Sequence, residues 1–346
     1  MNNVINESVI LKVKYPVITS YTSDAHMLSI LSSYPSTEAW VFNNYINLWG
    51  EEPCYENGFS ILRFHSWSIK KVCPYFKINH FKKSFFDSNI TEFIISKIDM
   101  GKYIDVVYDQ YYIPNTIQYK DKHSIHDMLI YGYDRKQRLF FVADFFKYSK
   151  YEFETVPFDC VETAIINALE SCVFGCDEIE FIHTNYKFSN YFLINSLNNY
   201  LHSQNIVAEN ENVIINEFEL DQIEKGRYTF GIKNYSLLKQ KLLKVLLNET
   251  AFHVLKALHV IFDHKVMMCE RLNYLANMGT IDYNDPIIDE YSNIKNISLL
   301  TRNLFIKFAH TKDNRLLDKI INNINIIESL EVEALNYLVK NISTKP

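Results

Sequence analysis

Residues 123–145, HSIHDMLIYGYDRKQRLFFVADF, restrict the fold of this chain more than any other stretch. Two runs rich in β-branched and aromatic residues flank a polar segment at 134–138, a pattern that predicts strand, tight turn and antiparallel strand. The hairpin carries a histidine and an acid. If Tyr133 pairs with Leu139, Asp144 falls opposite Met128 and diagonal to His126 on one sheet face, within side-chain reach. A slip of one residue would turn Asp144 to the other face.

The segments around this hairpin divide by period. Before it, Val9, Leu11 and Val13 alternate with Ile10, Lys12 and Lys14, an extended entry that ends near Pro16. From Asp24, DAHMLSILSSY sets Met27, Leu28 and Leu31 on one helical face, with Asp24 able to cap. Pro35 and Ser36 end that helix and start a second one, TEAWVFNNYINLWG, expected to close at Gly50. FSILRFHSW, KYIDVVYDQYYIP and the two hairpin strands read as one sheet over residues 58–150, with helices at 157–171 and 188–203 and a strand at 227–232. Neither glycine nor proline occurs between Gly231 and Gly279, where Leu238, Leu242, Val245, Leu246, Leu255 and Leu258 recur at three- and four-residue steps. That predicts a long helix or a helical pair, followed by helices near 286–310 and 314–341. The expected organisation is an α+β core over 1–233 and an all-helical subdomain over 234–346, with no internal repeat or flexible linker.

Composition narrows the function. A net charge of -6 supplies no protein-wide basic field for nucleic acid, so any anionic partner must meet a local patch. Six cysteines in 346 residues are too sparse for a secreted disulfide scaffold, and MNNVINESVILKVKYP lacks the pattern of a signal peptide. No apolar run approaches the roughly eighteen residues of a membrane span. These features imply a cytoplasmic protein with no membrane or nucleic-acid partner. Glycine is scarce and no phosphate-cradling motif occurs, which argues against a nucleotide-driven ligase. Cys172 and Cys176 lack a second ligand pair at finger-like distance, so no metal is expected, and His253, His259 and His264 read as ordinary helix positions.

A histidine held by a carboxylate is the orienting half of a nucleophilic triad, because the acid fixes the tautomer and stabilises the imidazolium. The nucleophile must come from elsewhere. Here SDAHMLSILSSY, DQYYIP, HDMLIYGYD and VADF resemble the N-terminal domain family of butirosin biosynthesis protein H, which has the papain-like cysteine-protease fold. The resemblance covers residues 15–150 best, and the His strand with Gly132, Tyr133 and Asp134 is also similar to that of bacteriocin-processing thiol peptidases. Within the family the chain looks most like closthioamide-type stand-alone amide synthetases of nonribosomal peptide biosynthesis. That likeness implies an acyltransferase moving an acyl or peptidyl chain from a carrier-protein thioester, through a cysteine acyl-enzyme, to a small amine or diamine. It implies catalytic roles for position 25, His126 and Asp144. It implies no resident cofactor either, phosphopantetheine belonging to the acyl or peptidyl carrier protein. Position 25 departs from the pattern, being alanine. A methyl group cannot attack a thioester, so the chain is either an inactive Cys-to-Ala variant or a non-catalytic binding relative. A papain-like cysteine peptidase is the other enzymatic reading.

Residues 57–86 hold Arg63, Lys70, Lys71, Lys77, Lys82 and Lys83 with no acid. A solvated face is the ordinary explanation; the functional one is a dock for an acidic carrier protein, with Lys70, Lys71, Lys82 and Lys83 as its cations.

Overall fold

The computed structural model describes residues 6–51, 62–64, 72–81, 89–171, 175–205, 227–245 and 251–343. The chain is mixed α+β, with antiparallel sheets and a helical C-terminal region. Its two compact units alternate along the sequence, one of residues 1–38 and 69–186, the other of 39–68 and 187–346, so residue 233 falls inside the second.

The first unit is built on the expected hairpin, β6 (Ile125–Asp134) and β7 (Leu139–Phe145). Its other strands are β1 (Ser8–Ile10), β4 (Phe76–Phe81), β5 (Lys102–Asp109), β8 (Tyr151–Pro157) and β9 (Cys176–Phe181). The sheet order is β4-β9-β5-β6-β7-β8. The start of β6 pairs with β5, and its far end, Gly132 to Asp134, pairs with β1. Gly132 is required there because a Cβ would lie 2.7 Å from the Val9 carbonyl oxygen. α3 (Ile90–Asp99), capped by the Asn89 side chain, and α4 (Phe158–Ser171) cover one sheet face. Their isoleucines and valines pack on Ile104, Val106, Tyr108, Met128, Ile130, Phe140 and Val142. α3 interrupts a stretch expected to be all strand; its apolar residues Ile90, Ile94, Ile95 and Ile98 follow the helical period.

Where α3, β5, β4 and β9 meet, Glu178 is 1% exposed and lies 2.5 Å from Lys97 Nζ and 2.6 Å from Lys102 Nζ, with Asn79 Nδ2 donating at 2.8 Å. Burial pushes its carboxyl up, but Lys102, Lys97 and Asn79 together bring it down to about 2 from the ordinary 4.5. A folded value below the unfolded one means stability present above pH 4.5 and lost as pH falls toward 2. Replacing Glu178 by glutamine should flatten the acid limb of this unit's stability curve, by at most about 3 kcal/mol. Urea denaturation between those pH values reads this directly, and identical acid limbs would contradict it.

Among the described residues the second unit contains α2 (Glu38–Asn44), a small sheet in the order β10-β2-β3 and five further helices. The strands are β2 (Leu48–Glu51), β3 (Leu62–Phe64) and β10 (Tyr228–Phe230). The helices are α5 (Asn190–Leu201), α6 (Asn234–Val245), α7 (Ala251–Asn277), α8 (Pro286–Thr311) and α9 (Arg315–Ser343). α2 ends at Asn44 instead of running to Gly50. Arg271 of α7 donates to the carbonyls of Phe42 and Tyr45, and His264 donates to that of Ile46, so the helix end is satisfied by side chains. The freed residues Leu48 to Gly50 then pair as a strand with β3, and Gly50 lies so close to α6 that a Cβ would meet Asn234 Oδ1 at 2.3 Å. FSILRFHSW, expected in the main sheet, and RYTFGI, expected as a further strand, contribute β3 and β10 to this smaller one. The helical pair expected after Gly231 is α6 and α7, and α8 begins at Pro286 under an Asp285 cap.

Candidate active site

His126 is the second residue of β6, and its Nδ1 lies 2.9 Å from Asp144 Oδ2 near the end of β7. The His126 side chain is 31% exposed and that of Asp144 is fully buried. A carboxylate can only accept, so Nδ1 carries the proton and Nε2 presents a lone pair in the neutral ring. Tyr108, directly across β5 from His126, donates its hydroxyl to the same Oδ2, and the Phe145 N–H donates to Oδ1 at 2.6 Å. Burial, then the Asp144 charge, holds the Tyr108 phenol well above its ordinary range, so it remains a donor. Asp144 is thus fixed by two partners besides the imidazole that it orients.

The register that brings the pair together differs from the expected one at the turn and agrees with it at the site. Tyr133 pairs with Phe140, not Leu139, and Leu139 pairs with Asp134. A bulge between Ile130 and Gly132 absorbs one residue, after which Ile130 faces Val142 and Leu129 faces Ala143. Continued by one step, that register would set Met128 against Asp144, the arrangement that brings Asp144 diagonal to His126.

Position 25 lies in the first turn of α1 (Thr22–Leu31), fully buried. The Thr22 hydroxyl of the same turn donates to Asp127 Oδ2 at 3.4 Å, so this turn docks where β6 begins. Further along α1, His26 Nδ1 is 3.3 Å from Asp105 Oδ1 and Ser29 Oγ is 3.2 Å from the Tyr151 hydroxyl. Asp105 and Asp127 alternate with Tyr108 and His126 on their strands, so α1 covers the face opposite α3 and α4. The structure therefore brings His126 and Asp144 into contact, and Thr22 ties the turn that carries Ala25 to Asp127, the residue after His126. The Ala25 N–H donates to the Tyr21 carbonyl at 2.9 Å and is engaged within the helix.

No protein-family model matches this chain, and no curated protein matches it.

Lys70, Lys71, Lys82 and Lys83 lie outside the described residues. Of the same acid-free stretch, Arg63 stacks over Trp49 at 4.4 Å in the second unit, and Lys77 pairs across from Glu180 in the first. The run therefore belongs to two different units. Among the described residues no group of three or more His, Cys, Asp or Glu is arranged to hold a metal, and no helix is long and apolar enough to cross a membrane.

Tyr108 and the pairs His26–Asp105 and His123–Asp109 were not singled out from sequence. The signal was present in KYIDVVYD, whose alternation turns Asp105 and Asp109 to one face and Tyr108 to the other.

Proposed function

We propose that the first unit has the papain-like fold and that, with cysteine at position 25, the protein is an amide-forming acyltransferase of nonribosomal peptide-type biosynthesis. The thiol would take an acyl chain from a carrier-protein phosphopantetheine thioester. His126 would remove the thiol proton through Nε2 and return it to the departing carrier thiol, while Asp144 holds Nδ1–H. An amine, not water, would then release the chain as an amide. The donor is already a thioester, so no nucleotide is needed.

The supporting observation is the His126–Asp144 hydrogen bond at the end of the sheet where the first turn of α1 docks. A second reading has an observation of its own. Ala25 carries no nucleophile, which favours a binding protein that retains only the fold.

The Ala25→Cys protein distinguishes them. Incubation with a small acyl thioester should add one acyl group to the thiol at position 25 by intact mass, and later addition of an amine should release an amide. Cleavage of peptides without amide formation would favour a thiol peptidase. No acyl adduct would leave the binding reading.

A further inference from the structure

A second histidine is held by a carboxylate at the same end of the sheet. His123, just before β6, has Nδ1 2.6 Å from Asp109 Oδ2. Asp109 ends β5, and its other oxygen accepts the N–H groups of Tyr111 and Ser124, both at 3.1 Å. The carboxylate side chain is 5% exposed, whereas that of His123 is 64% exposed. The imidazole stacks on Tyr111 with ring centroids 4.3 Å apart and 22° between planes, which fixes the ring in addition to its tautomer. Nδ1 faces an acceptor, so Nε2 carries the lone pair.

Asp109 shares its strand face with Asp105, the face that α1 covers. It pairs with Ile125, which makes Asp127 its diagonal neighbour about 7–8 Å away. Asp127 is the residue that Thr22 of α1 contacts. Through Asp127 the His123–Asp109 pair is thus linked to the first turn of α1, the turn that carries position 25, and the His126–Asp144 pair belongs to the other strand face.

We propose that the His123–Asp109 pair is a second proton acceptor, which takes a proton from a basic amine as it enters the position-25 thioester. This rests on the acyl-transfer reading and supplies what that chemistry lacks. An alkylamine, with a pKa near that of lysine at about 10.4, arrives as an ammonium ion and must lose two protons to become an amide nitrogen. His123 takes the first and frees the nitrogen lone pair, which attacks the thioester carbonyl carbon. His126 takes the second from the resulting adduct. The C–N bond remains, the C–S bond breaks, and its electron pair leaves as the position-25 thiolate. One ammonium, one thioester and two neutral imidazoles become one amide, one thiolate and two imidazoliums, so charge and protons balance. With His126 alone the second proton would have to go to solvent or to the departing thiolate.

The test uses the full-length Ala25→Cys protein, acylated with a small acyl thioester, freed of excess donor and mixed at neutral pH with either an alkylamine or hydroxylamine. Hydroxylamine is unprotonated at neutral pH and needs only one acceptor. His123→Gln should slow release by the alkylamine about a hundredfold, within the ordinary range for a general base, and should slow release by hydroxylamine far less. Raising the pH toward the alkylamine's own pKa should restore its rate. Equal slowing with both amines would mean that His123 only supports the structure, and no slowing with either would remove it from the reaction; both overturn the proposal. Failure of the Ala25→Cys protein to take up an acyl group overturns the acyl-transfer reading instead, at a step before His123 is called on.

Discussion

Asp144→Asn in the Ala25→Cys protein is expected to lower acyl-enzyme formation by about 10³–10⁴-fold with the fold intact. Asp144 accepts hydrogen bonds from His126 Nδ1, the Tyr108 hydroxyl and the Phe145 N–H while fully buried. An asparagine of the same shape turns one of those acceptors into a donor. The Phe145 N–H keeps the amide oxygen on its own side, so the amide nitrogen faces His126 and donates to an unprotonated Nδ1, which puts the proton on Nε2 where the base must be vacant. His126→Ala should cost about as much, and the double variant no more than either alone, because the two residues act as one base. Tyr108→Phe should cost less, since it loosens the acid without changing the tautomer. Single-turnover acylation followed by mass spectrometry, with circular dichroism as the folding control, measures each. An Asp144→Asn protein that acylates within tenfold of its parent would exclude the pair from catalysis.

Glu331→Ala is expected to cost the second unit several kcal/mol, about 3–5, through a buried charge left alone. Glu331 and Lys265 are each fully buried and paired with one another. The other Glu331 oxygen accepts Tyr235 at 2.7 Å and Tyr200 at 3.1 Å, and Tyr291 adds a 3.3 Å contact. Behind the lysine, His264 Nδ1 lies 2.9 Å from Nζ and its Nε2 donates to the Ile46 carbonyl at 2.8 Å. Burial, then the neighbouring Lys265, holds His264 well below its ordinary value, so it stays neutral and can receive a hydrogen bond from the lysine. Removing the carboxylate strands the lysine and three phenols at once. Replacing both charged partners, Lys265→Met with Glu331→Leu, removes the uncompensated charge and should recover much of the loss. Denaturant titration of the three proteins decides it. If Glu331→Ala shifts stability by less than about 1 kcal/mol, the usual worth of one neutral hydrogen bond, the cluster does not hold this unit together. Should Glu331→Ala fail to fold, the double variant still discriminates, because only relief of a stranded charge predicts that it folds.

Two kinds of information were separable in this chain. The local period of the sequence determined the hairpin and the helices after Gly231, because alternation and the helical repeat fix which face a side chain takes. The turn was misplaced by one residue, and the His126–Asp144 pair survived only because the bulge before Gly132 shifted the ladder back. The alternation of the sequence does not reveal where a bulge falls, since the extra residue is set by the pairing of the two strands. The tertiary structure alone decided that α2 stops at Asn44, since the groups ending it, Arg271 and His264, stand more than two hundred residues away. It alone divided the acid-free run at 57–86 between two units, because a segment follows its partner strands and not its neighbours in sequence. It also set His123 on Asp109 and Lys265 on Glu331. A linear pattern reports which residues are apolar and how often, whereas the partner of a buried charge is fixed by whatever the fold brings within about 3 Å of it.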